Sequence, residues 1–86
     1  MIDPHFAIQG LTGLAESLGF RITLSSTGPY IHTSPDTFLK LDTETVECWG
    51  SDEEYIKYCF DLDTPRGVGH CAALLIRLAE NRTETV

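Results

Sequence analysis

A chain of 86 residues has room for one domain and not for two, and its core must come from one sheet and one or two helices. Its 42% hydrophobic and 22% charged content is that of an ordinary folded globule, and no apolar run approaches the ~20 residues a membrane span needs. Six Lys and Arg stand against thirteen Asp and Glu, a net charge of −7, which is the wrong sign for a direct nucleic-acid binder.

The first predicted element is a helix with both ends marked. Asp3 caps it, Pro4 suits the first helical position, and Gly19 closes it in the left-handed conformation. Ile8, Leu11, Leu14, Ala15 and Leu18 form one apolar stripe. Gly10 and Gly13 weaken the helix by up to about 1 kcal/mol each relative to Ala, and are read as points of close approach to a sheet.

Alternation with period two follows. Phe20, Ile22 and Leu24 face one way, with Arg21, Thr23 and Ser25 opposite. Thr27-Gly28-Pro29 reads as a turn, Tyr30 to Thr33 as a short return strand, and Ser34-Pro35-Asp36 as a break. Phe38–Asp42 and Thr45–Trp49 pair as a hairpin around Thr43-Glu44, with Leu39, Leu41, Val46 and Cys48 inward. After a loop at Gly50-Ser51-Asp52, Tyr55–Asp61 is the clearest strand. Ile56, Tyr58, Phe60 and Leu62 face inward from it, and Tyr55, Lys57, Cys59 and Asp61 outward.

A second helix is capped by Asp63 or Thr64 and has Pro65 near its start. Val68, Cys71, Ala72, Leu75 and Ala79 make its inward stripe, widened by Leu74, Ile76 and Leu78, a breadth that suggests a central place across the sheet. Its outward stripe is polar: Arg66, His70, Ala73, Arg77 and Glu80. The fold expected is therefore α+β: an N-terminal helix, an antiparallel sheet of three to five strands and a C-terminal helix, with both helices on one sheet face. Residues 1–86 form a single domain in this reading, frayed over residues 83–86. Met1-Ile-Asp-Pro-His lacks the basic start and apolar run of a signal peptide, so the chain is expected in the cytosol.

Charge marks the candidate surface. Asp42, Glu44, Glu47, Asp52, Glu53, Glu54, Asp61 and Asp63 are opposed within residues 42–63 by Lys57 alone, so this stretch carries the whole net charge of −7. The sheet face away from the helices is expected to display Phe38, Lys40, Asp42, Glu47, Trp49, Tyr55, Lys57 and Asp61. Acids interleaved with Trp and Tyr have the composition of an interface. Glu47, Trp49, Asp52, Glu53, Glu54 and Tyr55 are the candidate partner-binding residues.

Other chemistry is thinly represented. Cys48, Cys59 and Cys71 are spaced unlike a zinc ribbon and read as buried free thiols. Asp61 and Asp63 offer too few oxygens for a hard cation. Gly67-Val68-Gly69 at a helix start, beside Arg66 and His70, is the one possible anion cradle, but it lacks the third glycine of a dinucleotide fingerprint and the Lys of a P-loop. No Ser/His/Asp or Cys/His arrangement is legible, so no catalytic residue, metal or cofactor is assigned.

In size, acidity and architecture, though in no motif, the chain resembles the anti-CRISPR and related anti-defence proteins encoded by bacteriophages. That resemblance implies stoichiometric binding to a CRISPR surveillance complex or nuclease, in the host cytosol. The element order is also similar to the double-stranded RNA-binding domain. Where that family places lysines at the start of its last helix, this chain has Arg66-Gly67-Val68-Gly69-His70, which argues against RNA. The leading reading is a non-enzymatic, acidic protein-binding inhibitor of a partner with a basic surface, without direct contact to nucleic acid or membrane. The alternatives are an assembly or adaptor subunit, and a small-ligand or anion binder at the Gly67–His70 helix start.

Overall fold

Asp3 accepts the N–H of His5 on its side chain at 3.0 Å, and Pro4 follows it into α1 (Pro4–Ser17). Gly19 closes the helix at φ +90°, the conformation that favours glycine, and the Phe20 N–H then returns to the Ala15 carbonyl at 3.0 Å. This computed structural model describes residues 3–34, 37–51 and 56–84. Five strands follow α1: β1 (Arg21–Ser25), β2 (Gly28–His32), β3 (Phe38–Asp42), β4 (Glu47–Ser51) and β5 (Ile56–Asp61). They form one antiparallel sheet in the order β1-β2-β3-β4-β5, each strand pairing with the next in the chain.

Helix α2 (Pro65–Glu84) begins where the Thr64 hydroxyl accepts the Gly67 N–H at 3.1 Å, so of the two capping candidates Thr64 holds this amide. It continues to Glu84. Its polar stripe is on the surface: Arg66, His70, Ala73, Arg77 and Glu80 are all exposed.

The alternation determines the core. Ile31, Leu39, Leu41 and Cys48, from the three inner strands, have no exposure to solvent. They join Ile8, Leu11 and Ala15 of α1 and Cys71 and Leu75 of α2 in one cluster, so both helices cover the same sheet face. Complete burial of each Leu or Ile contributes about 1.5–3 kcal/mol. Helix α2 does not lie centrally. It abuts α1 on one side and β5 on the other, while α1 takes β1 and β2. Two helices side by side are needed because one, about 10 Å wide, is narrower than five strands spaced at about 4.8 Å.

Several local expectations are corrected. The β1–β2 turn is Ser26-Thr27, and Gly28 and Pro29 already pair within the sheet, opposite Ser25 and Leu24. Pro29 is tolerated because pairing between β2 and β3 starts only at Tyr30, where an N–H is available again. The β3–β4 connection spans Thr43–Val46 rather than two residues, and Val46 has φ +56° at its end. That is a strained value for a β-branched residue. Val46 is nevertheless held: it packs on the core, and its carbonyl accepts the Leu62 N–H at 2.8 Å.

Leu24, expected inward, is 79% exposed. It lies at the edge strand and lines an open groove with Gly13 and Pro29. Gly10 and Gly13 accordingly make no close approach, since a side chain on either would meet nothing within 4 Å. The close approach is at Gly67, where a Cβ would collide with the backbone of Asp61. Gly67 is thus a packing joint between α2 and β5.

These glycines give opposite expectations. Gly10→Ala should raise stability by up to about 1 kcal/mol, because only helix propensity changes. Gly67→Ala should lower it by about 1–3 kcal/mol or more, because the obstructing atoms are backbone. Urea denaturation of both variants measures the signs, and equal effects would contradict the assignment of the contact.

Candidate functional site

Every second residue of β2, β3 and β4 points away from the helices, and the register assembles these residues into rows. Thr23, Tyr30, Lys40, Trp49 and Cys59 lie side by side across all five strands. Arg21, His32, Phe38 and Ser51 form the adjacent row, and Asp42, Glu47 and Asp61 a third. One face thus carries an aromatic strip with a carboxylate row beside it.

The aromatic strip is locked by contacts among its members. Tyr30 and Phe38 meet edge to face, ring centroids 5.2 Å apart at 68°. The Lys40 Nζ sits 5.3 Å from the centre of the Tyr30 ring and 3.3 Å from Asp42 Oδ2. Trp49 is half-buried, and its Nε1–H donates to the Thr45 hydroxyl at 3.2 Å. Tyr30, Phe38, Lys40, Asp42, Trp49 and Ser51 line an open depression of about 300 Å³. Such a shallow hollow suits a protruding side chain of a protein partner better than an enclosed small molecule.

Two of the three carboxylates, Asp42 and Glu47, are held in place. Asp42 Oδ1 accepts the N–H groups of Glu44 and Thr45 at 2.8 and 3.0 Å, which pins the β3–β4 turn. The Thr45 amide, with help from Glu44 and Lys40, keeps the Asp42 carboxyl below its ordinary range against the opposing effect of burial. Partial burial works to lower Lys40, yet its bonds to Asp42 and Tyr30 prevail and leave it raised. Glu47 Oε2 accepts the Cys59 thiol at 2.7 Å. Burial, then the Glu47 bond and charge, push that thiol up to about 11.

Of the six residues singled out from sequence, the structure places Glu47 and Trp49 on this face, two residues apart on β4. Asp52, Glu53, Glu54 and Tyr55 lie outside the described residues, as does the side chain of Lys57. Phe38, Lys40, Asp42 and Asp61 stand on the expected face. Tyr30 was missed, although the alternation Tyr30-Ile31-His32 around a core isoleucine carried the signal. Cys59 is exposed, as its outward place in the alternation of β5 requires, and is not one of the buried thiols with which it was grouped.

Compared with protein-family models, curated proteins and solved structures, the chain matches none. Its site is therefore read from its own geometry.

A second hollow, of about 170 Å³, lies at the start of α2 among Cys59, Phe60, Asp61, Thr64, Arg66, Gly67 and His70. Its amides are already engaged: Gly67 N–H bonds the Thr64 hydroxyl and Val68 N–H the Thr64 carbonyl. Asp61 on its wall adds negative charge. Both features work against an anion. His70 is turned onto Phe60, 5.7 Å between ring centres. Among the described residues no three His, Cys, Asp or Glu side chains converge on a metal-sized point, and no helix is long and apolar enough to cross a membrane.

Two measurements check these electrostatics. Asp42→Ala should cost about 1–2 kcal/mol near neutral pH by freeing two turn amides. Because the folded carboxyl lies below its ordinary 3.8, its contribution is complete above that value and is lost as pH falls through the lower folded one. The gap between wild type and variant, followed by denaturant melts, should therefore close on acidification. For Cys59, Glu47→Gln should speed thiol alkylation in mildly alkaline buffer several-fold, by removing the charge that opposes the thiolate. An unchanged rate would separate the two groups.

Proposed function

We propose that this protein is a binding module that docks its open sheet face on the basic surface of a protein partner and thereby occludes it. The observation that supports the reading is the adjacency of the aromatic row through Tyr30, Lys40 and Trp49 to the carboxylate row of Asp42, Glu47 and Asp61. Aromatic area supplies desolvation at the centre of an interface, and the acids supply attraction and orientation. A basic surface that ordinarily holds nucleic acid has the complementary charge. A CRISPR surveillance complex, implied by the resemblance in size, acidity and architecture, is the specific partner we put forward. Helix-borne assembly, the adaptor reading, is less well supported because the outward stripe of α2 is polar.

The test has two arms. Immobilised protein captures partners from bacterial lysate at low salt, and the affinity of each purified partner is measured against variants. Trp49→Ala should weaken binding by about 30-fold, Asp61→Lys should weaken it and flatten its salt dependence, and Arg77→Glu on the opposite side should do neither. Capture of acidic partners only, or affinity indifferent to Trp49→Ala and Asp61→Lys in folded variants, would overturn the docking face. In the second arm, stoichiometric protein is added to purified CRISPR surveillance complexes and guide-directed DNA binding is followed by gel shift. Undiminished DNA binding across the complexes would overturn that partner while leaving the first arm to judge the face.

A further inference from the structure

Two of the three cysteines meet inside the core. Cys48 of β4 and Cys71 of α2 are both wholly removed from solvent, and their sulfurs lie 3.0 Å apart, inside the separation that two non-bonded sulfurs ordinarily keep. Cys59 is no competitor. It alternates with Phe60 to the opposite sheet face, and its thiol is bonded to Glu47.

We propose that Cys48 and Cys71 form a disulfide site, closed by exchange with a small disulfide such as oxidised glutathione, that staples α2 to the sheet. In the first step a thiolate of one cysteine attacks a glutathione sulfur, giving a mixed disulfide and releasing one reduced glutathione. The second cysteine, deprotonated, then attacks the protein sulfur of that mixed disulfide and releases the second glutathione. Two protein thiols are oxidised, one glutathione disulfide is reduced to two thiols, and the two protons pass to the departing thiolates.

The partners are 23 residues apart and belong to different layers of the fold, so the bond restricts the unfolded chain substantially. In the closed core the bond with Cys71, together with burial, holds the Cys48 thiol well above its ordinary value. Exchange in the folded state is accordingly slow, and the bond is made as the chain folds or when α2 lifts from the sheet. The inference is independent of the docking face, which lies on the other side of the sheet.

Trypsin cleaves after Lys40, Lys57, Arg66 and Arg77, which places each cysteine on its own peptide. The reduced, denatured protein is refolded in a mixture of reduced and oxidised glutathione, quenched with acid, alkylated and digested. The Cys48 peptide should appear joined to the Cys71 peptide by mass spectrometry, with Cys59 alkylated. The oxidised protein should melt on the order of 10 °C above the reduced one, and reductant should abolish the difference. The same link should form in Cys59→Ser. Recovery of all three peptides singly alkylated, a link that includes Cys59, or loss of the link in Cys59→Ser would each overturn the proposal.

Discussion

Ile31, Leu39, Leu41 and Cys48 are inward residues of the three inner strands, and sealing them from water is the constraint from which the architecture follows. A five-stranded sheet is too wide for one helix, so α1 and α2 lie side by side over a single face. Among the described residues no third helix lies over the other face. Residues that alternate with the core positions are thereby brought into rows, and the candidate site is a by-product of the same register that forms the interior.

Much of this was legible in the sequence because it depends on local chemistry. Asp3, Pro4 and Gly19 mark the ends of α1 by capping and backbone preference, and the spacing of Val68, Cys71 and Leu75 marks the buried side of α2. What failed depended on contacts between distant segments. Gly10 and Gly67 look alike in sequence, yet only Gly67 has another backbone, that of Asp61, against it. Leu24 fits the alternation of β1, but it opens onto a groove between the edge strand and α1 instead of entering the core. Thr27-Gly28-Pro29 has turn composition, while the observed register moves the bend one step earlier and leaves Gly28 and Pro29 in the sheet. Tyr30 was missed although its signal is local: it alternates with Ile31 and so shares the face of Lys40 and Trp49.

The acids of the sheet face are not simply a solvated cluster. Asp42 is engaged by two turn amides and Lys40, and Glu47 by a thiol, so both are oriented by the protein itself. In the docking proposed above, carboxylates ordered in this way would lose little side-chain freedom. The Trp49 indole, tethered to Thr45, is similarly pre-set.

The strand order has a bearing on kinetics as well as on shape. In a meander each hairpin closes a short loop, so most of the sheet can zip from neighbouring segments without searching for remote ones. The contact that spans nearly the whole chain is that of α1 with α2, and its apolar footing is complete only after the strands have assembled. Such an order of events favours rapid collapse of the sheet followed by docking of the terminal helices, with the chain's two ends arriving last.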